Sequence, residues 1–168
     1  SERKSLAPSA VLDAFRQTLT NRQTLGYALA GGGIMGAMFG YVFCSQQIYT
    51  GIYGLGHYFP LAFAGVAIGI GVAGFVNARI VGRLGMRVIS HTALAGFVAA
   101  AAVMLVAEKA GMLPLSLFLA LSALMMFTFG MMFGNFTALA MEPHGHIAGT
   151  ASSLFGSITT LLAIAIGT

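Results

Sequence analysis

The sequence predicts an all-α membrane protein with five membrane-spanning helices. Three observations carry that prediction. Hydrophobic residues make up 58% of the chain and charged residues only 7%, whereas a soluble domain carries about 25% charge. Five apolar runs each reach the roughly 20 residues that a helix needs to cross hydrocarbon. The basic residues, finally, are gathered on one side of those runs, as the positive-inside rule requires. So few polar side chains cannot build a water-facing surface, and lipid must be the solvent for most of the chain.

The elements follow in order. Residues 8–21, "PSAVLDAFRQTLTN", put Val11, Leu12, Phe15 and Leu19 on one helical face. They predict a short amphipathic helix lying on the membrane surface. Spans are expected at residues 25–47, 58–78, 88–106, 114–141 and 147–168, so residues 1–24 form a lead-in and 25–168 a helical bundle. The connectors are "IYTGIYGLGH", the arginine-bearing "NARIVGRLGMR", "EKAGML" and "EPHGH", punctuated by Gly and Pro. The chain starts without Met and ends in "LLAIAIGT" after an odd number of spans. It is therefore expected to be a fragment, with a further span beyond its end.

Five spans put Arg3, Lys4, Arg16, Arg22, Arg79, Arg83 and Arg87 on one side and Lys109 alone on the other. The N-terminus is thus expected to be cytoplasmic, in a multi-pass protein of a cell membrane. A central Arg costs about 2.5–3.5 kcal/mol on the insertion scale, so Arg79, Arg83 and Arg87 mark where the second span stops. The net charge of +4 reflects these juxtamembrane residues and calls for no nucleic acid.

Inside the spans the polar inventory is short. Gly32, Gly36 and Gly40 form a ridge on the first span, with Gly65 and Gly69 on the second and Gly130 and Gly134 on the fourth. Such ridges predict close helix contact, because helices in lipid gain little from a hydrophobic effect between them. No ionisable residue lies near the middle of a span, which removes the usual mark of a proton relay or ion pathway. Tyr41 and Ser45 share one face of the first span, followed by Gln46 and Gln47. Thr128, Asn135 and Glu142 repeat at seven residues on the fourth. A polar stripe of this kind either faces a water-filled cavity or bonds a neighbouring helix. Tyr41, Ser45, Gln46 and Asn135 are the substrate-cavity candidates. No catalytic set, phosphate loop or paired carboxylates is present, so no enzyme and no cofactor is expected. His144 and His146 lack the Cys or carboxylate support of a metal site, and the lone Cys44 can form no intrachain disulfide.

Three stretches then resemble a known family. "GRLGMR" resembles the cytoplasmic loop signature of the major facilitator superfamily, roughly Gly-x-x-x-Asp-Arg-x-Gly-Arg-Arg. Arg83, Gly85 and Arg87 match it; Gly82 stands in place of the Asp, Ala78 of the first Gly and Met86 of an Arg. "ALAMEPHGHIAGTASSLFGS" and "LGYALAGGGIMGAMFGYVF" resemble stretches of its Bcr/CflA drug-resistance transporters. The resemblance implies that the spans are helices 7–11 of a twelve-helix fold and that residues 1–24 end the central cytoplasmic loop. It implies a proton-coupled exporter of drugs or small metabolites in the bacterial inner membrane, monomeric when full length, working by alternating access with a missing N-terminal half. Its partners would be a hydrophobic substrate, protons and the lipid bilayer. The third span would face lipid, and the proton-carrying acids would lie in the other half. The arginine loop would act as a latch, with Arg83 pairing Glu142 and Arg79 or Arg87 as substitutes. The alternatives are a membrane anchor subunit of an enzyme complex, which the lack of intramembrane histidines disfavours, and a channel, for which no polar ring is present.

Overall fold

The computed structural model describes residues 8–167, with side chains except those of residues 8–12, Ala14 and His146. Arg3, Lys4 and the side chains of Val11, Leu12 and His146, which enter the reading above, lie outside the described residues. All regular structure among the described residues is helical: α1 (Pro8–Thr20), α2 (Arg22–Gln46), α3 (Phe59–Leu84), α4 (Met86–Lys109), α5 (Leu115–Met141) and α6 (Ala148–Gly167). A π-helical segment, Gln47–Ile52, extends α2, and 3-10 turns at Gly56–Tyr58 and Glu142–Ile147 lead into α3 and α6. The helices α2 to α6 are each long and apolar enough to cross a membrane, as expected.

The connectors are shorter than the sequence reading has them. The arginine stretch is helix, not loop: Arg79 and Arg83 belong to α3, Arg87 to α4, and the turn between is Gly85 alone. Gly85 has φ 79° and ψ 149°, a region open essentially to Gly, because a Cβ there meets its own backbone. Its N–H still bonds Val81 O at 2.9 Å, and its carbonyl accepts Ile89 N at 3.3 Å, so one helix hands over directly to the next. The first connector is likewise half helical. The α2 N-terminus is capped by Asn21, whose Oδ1 accepts Thr24 N at 3.0 Å.

The chain divides into two compact units. One runs to Gly40 and resumes at Phe136; the other is Tyr41–Asn135. In the first, Ala28, Ala140 and Phe155 form a core from α2, α5 and α6, and the rings of Tyr27 and Phe136 lie 5.2 Å apart. The α2 ridge packs on α6: a Cβ on Gly32 would sit 2.7 Å from Leu162 Cβ, and one on Gly36 2.7 Å from Ile166 Cβ. The short α1 lies against α6. Thr18 is buried while Phe15 and Leu19, on the face assigned to the membrane surface, are exposed.

In the second unit, a Cβ on Gly130 would stand 2.7 Å from Ala73 Cβ and 2.9 Å from Ile70 O, and one on Gly69 2.9 Å from Ala123 O. Gly65 and Gly134 meet only open space, so each expected pair supplies one contact glycine. α4 buries Ile89, Ala93, Phe97 and Ala100 at helical spacing and exposes Val98, Val103 and Val106. Leu61, Ile68 and Phe75 of α3 are also exposed. Apolar surface on this scale marks contact with lipid rather than water.

Gly130 and Gly134 therefore make a matched test. Both substitutions to Ala gain the same helix propensity, but only Gly130→Ala forces two backbones apart. It should be less stable than Gly134→Ala by about 1–3 kcal/mol, read by thermal unfolding in detergent. Equal stabilities would show that α3 and α5 are not held at this glycine.

Candidate functional site

Many polar side chains inside the helices bond their own backbone, and a few pair across segments. Asn135 is buried and lies on α5 opposite Asn77 of α3. Its Nδ2 donates to Asn77 Oδ1 at 2.8 Å and to its own Met131 O at 2.9 Å, while Asn77 Nδ2 returns a bond to Asn135 Oδ1 at 3.3 Å. Of the two roles open to the α5 stripe, bonding a neighbouring helix is the one that Asn135 takes up here. Sequence reading misses Asn77 because it opens the arginine stretch, which reads as a connector. The signal is its position: seven residues before Leu84, it is still two turns inside α3.

Tyr41 Oη lies 2.7 Å from Tyr49 Oη, and the Tyr41 ring stacks on Phe63 at 6.1 Å. Tyr49 is fully buried, against Phe59 and Phe118. The π-helical widening beyond Gln46 brings Tyr49 within reach of Tyr41, two turns back along the chain. Ser45 is buried and donates to Val42 O at 2.7 Å on its own helix. Gln46 is exposed. Thr128 likewise spends its hydroxyl on Leu124 O and Met125 O. Between the spans, Tyr53 Oη donates to Leu113 O at 3.0 Å, and burial pushes its phenol above the ordinary range, keeping it a neutral donor.

The arginines surround Gly85. The Arg79 guanidinium sits 4.1 Å above the Phe75 ring, a cation–π contact. Arg83 is exposed in the last turn of α3, where the helix dipole favours a cation. Arg87 is in the first turn of α4, where the dipole opposes one, and its carbonyl bonds His91 Nδ1 at 2.7 Å. The dipole accounts for Arg83 but not for Arg87.

The first unit holds a polar cluster that the sequence reading does not anticipate. Gln23 Nε2 donates to Leu139 O at 2.8 Å and to Glu142 Oε2 at 2.9 Å. Thr24 Oγ1 lies 3.0 Å from Ala140 O, 3.3 Å from Asn21 Oδ1 and 2.8 Å from His144 Nε2. Its one proton has two claimants that can only accept, so His144 Nε2 must carry the hydrogen of the third contact. Buried His144 thus ties the 3-10 turn to the start of α2, and Gln23 covers a carbonyl that the end of α5 leaves open. No group of three His, Cys, Asp or Glu side chains converges on a possible metal position among the described residues. Arg83 belongs to the second unit, whereas Glu142 belongs to the first.

Removing one amide of the asparagine pair strands the other. Asn77→Leu and Asn135→Leu should each destabilise the protein, and the double mutant should lose less than the sum. The coupling should be about 0.6–1.7 kcal/mol, the scale of hydrogen bonds between helices in lipid. Additive losses in bicelle unfolding would show the two amides to be independent.

No protein-family model matches the chain, and no solved structure matches it either. It is similar to the uncharacterized MFS-type transporter YdgK of Bacillus subtilis (strain 168), with 33% identity over 153 residues. The match takes in 86% of this chain but 36% of the relative, so the chain spans about a third of that protein's length. With five helices able to cross a membrane, this similarity supports placing the chain in the major facilitator superfamily.

Proposed function

We propose that the chain is the C-terminal part of a proton-coupled exporter of hydrophobic drugs or small metabolites, working by alternating access in a bacterial inner membrane. The observation that carries this reading is the similarity to a transporter across 86% of the chain. The absence of ionisable residues from the middle of the spans supports it, since proton-carrying acids then fall to the other half. Substrate moves between two halves that rock about a midplane site, so transport belongs to the complete protein, a monomer with its own N-terminal half.

Tyr41 and Gln46 are the direct substrate contacts of this reading. Tyr41 has a polar group next to aromatic surface, and Gln46 is exposed. Ser45 and Asn135 serve as positioning residues, because their polar groups are engaged within the protein. Tyr41→Phe should alter the resistance profile, with protein levels in the membrane unchanged. The same profile for every compound would remove Tyr41 from the substrate path.

The reading as a whole is tested on the complete transporter in liposomes. A fluorescent hydrophobic dye should move against its gradient when a pH gradient is imposed, and stop when a protonophore collapses it. Movement indifferent to the pH gradient, or none, would overturn proton coupling.

Arg83 and Glu142 are the latch residues of this reading, acting in one state of the cycle. An exposed ion pair is worth about 0–1 kcal/mol, enough to shift a conformational equilibrium a few-fold without unfolding the protein. Arg83→Glu and Glu142→Arg should each impair transport and together restore part of it. A double mutant no better than the worse single one would leave the arginines to topology alone.

A further inference from the structure

The second unit contains a cavity of about 530 Å³ at the end of α4 remote from Arg87. The helical repeat builds one wall: Ala101, Met104, Leu105 and Glu108 fall at i, i+3, i+4 and i+7, hence on one face of α4. Phe118 and Met125 of α5, seven apart, supply a second wall, and Ile48, Ile52 and Tyr53 close the third. The rings of Tyr53 and Phe118 lie 5.2 Å apart. Ile52 and Leu105 are more than half exposed, so the cavity opens outward.

Its lining is apolar but for Glu108 and the Tyr53 hydroxyl, which stays neutral and is spent on Leu113 O. Glu108 is the one acidic or basic side chain on it, and Lys109, the next along the helix, does not line it. The backbone that carries Glu108 is fixed by the way α4 ends. Gly111, at φ 67°, returns its N–H to Glu108 O at 2.9 Å, and Met112 N reaches Ala107 O at 2.8 Å. This Schellman closure fixes the last turn. Helix C-termini are also the negative ends of their dipoles.

We propose that this cavity binds a lipophilic organic monocation carrying aromatic groups. The volume lies within the roughly 300–1,000 Å³ of drug-sized sites. Apolar walls take the body of such a molecule, the Glu108 carboxylate and the α4 terminus complement its charge, and the aromatic pair offers π surface to a cation. An anion meets the carboxylate's repulsion, and a neutral molecule gains nothing from it. A cation of this class concentrates in the membrane interface, at the level where the cavity opens. The site does not depend on the transport reading.

The test uses the complete protein in phosphatidylcholine nanodiscs and a photoactivatable tetraphenylphosphonium, with labelled residues mapped by mass spectrometry. Labels should fall on Met104, Leu105 and Phe118. Glu108→Gln should reduce them about tenfold, the scale of one screened charge pair at a protein surface. Ala101→Trp, which fills the cavity, should abolish them. Labelling by a neutral tetraphenylmethane analogue should be weaker and indifferent to Glu108→Gln. Labels elsewhere only, equal labelling by the neutral analogue, or no effect of Glu108→Gln would overturn the proposal and leave the cavity as a groove for lipid acyl chains.

Discussion

In hydrocarbon, an apolar surface gains nothing from being covered by another apolar surface, so contact has to be won by closeness. The packing here follows from that constraint. Gly32 and Gly36 let α6 approach α2 until the Cβ atoms of Leu162 and Ile166 occupy the space their own side chains would take. Gly130 does the same for α3 against α5, with Ala73 as the small residue opposite. Dispersion falls steeply with separation, so helices held this near gain what larger side chains would forfeit. The large apolar residues are free to point outward, as Leu61, Ile68 and Phe75 do.

The same solvent governs the polar groups. A hydroxyl or amide in hydrocarbon has no water to bond, and leaving it bare costs several kcal/mol. Most therefore close on the protein: Asn77 with Asn135, Tyr41 with Tyr49, and Ser45, Ser90 and Thr128 on their own helices. Ser122 Oγ and Thr159 Oγ1 are buried and make no such bond. These pairings join packing to function: Ser45 and Asn135, already satisfied within the protein, are left a positioning role, whereas Tyr41 still has its ring, stacked on Phe63, to offer.

Helix ends carry the rest of the chemistry. Backbone groups left open there meet Asn21, Gln23 and Thr24 at one place and the Gly111 closure at another. Gly85 compresses a turn to one residue, which spaces Arg83 and Arg87 evenly about it. The glycine of the "RLGMR" stretch thus has a backbone reason to be there, independent of any resemblance.

How much of this was legible in the sequence depends on the range of the forces involved. Span number, helical class and the glycine ridge of α2 follow from composition and periodicity, because the length of apolar runs and the size of side chains are local properties. Even the α1 helix can be read from a 3.6-residue repeat. What only the tertiary structure decided is which atoms meet. Asn135 could equally have faced water. It bonds Asn77 because α3 continues as helix through Arg79 and Arg83 and ends only at Gly85. The Gly69 and Gly130 contacts, and the open space at Gly65 and Gly134, depend on the rotation of one helix against another. Thr24 and His144 are 120 residues apart in the chain. A hydrogen bond acts over about 3 Å, so partners that far apart in sequence leave no local trace of each other until the helices bring them together.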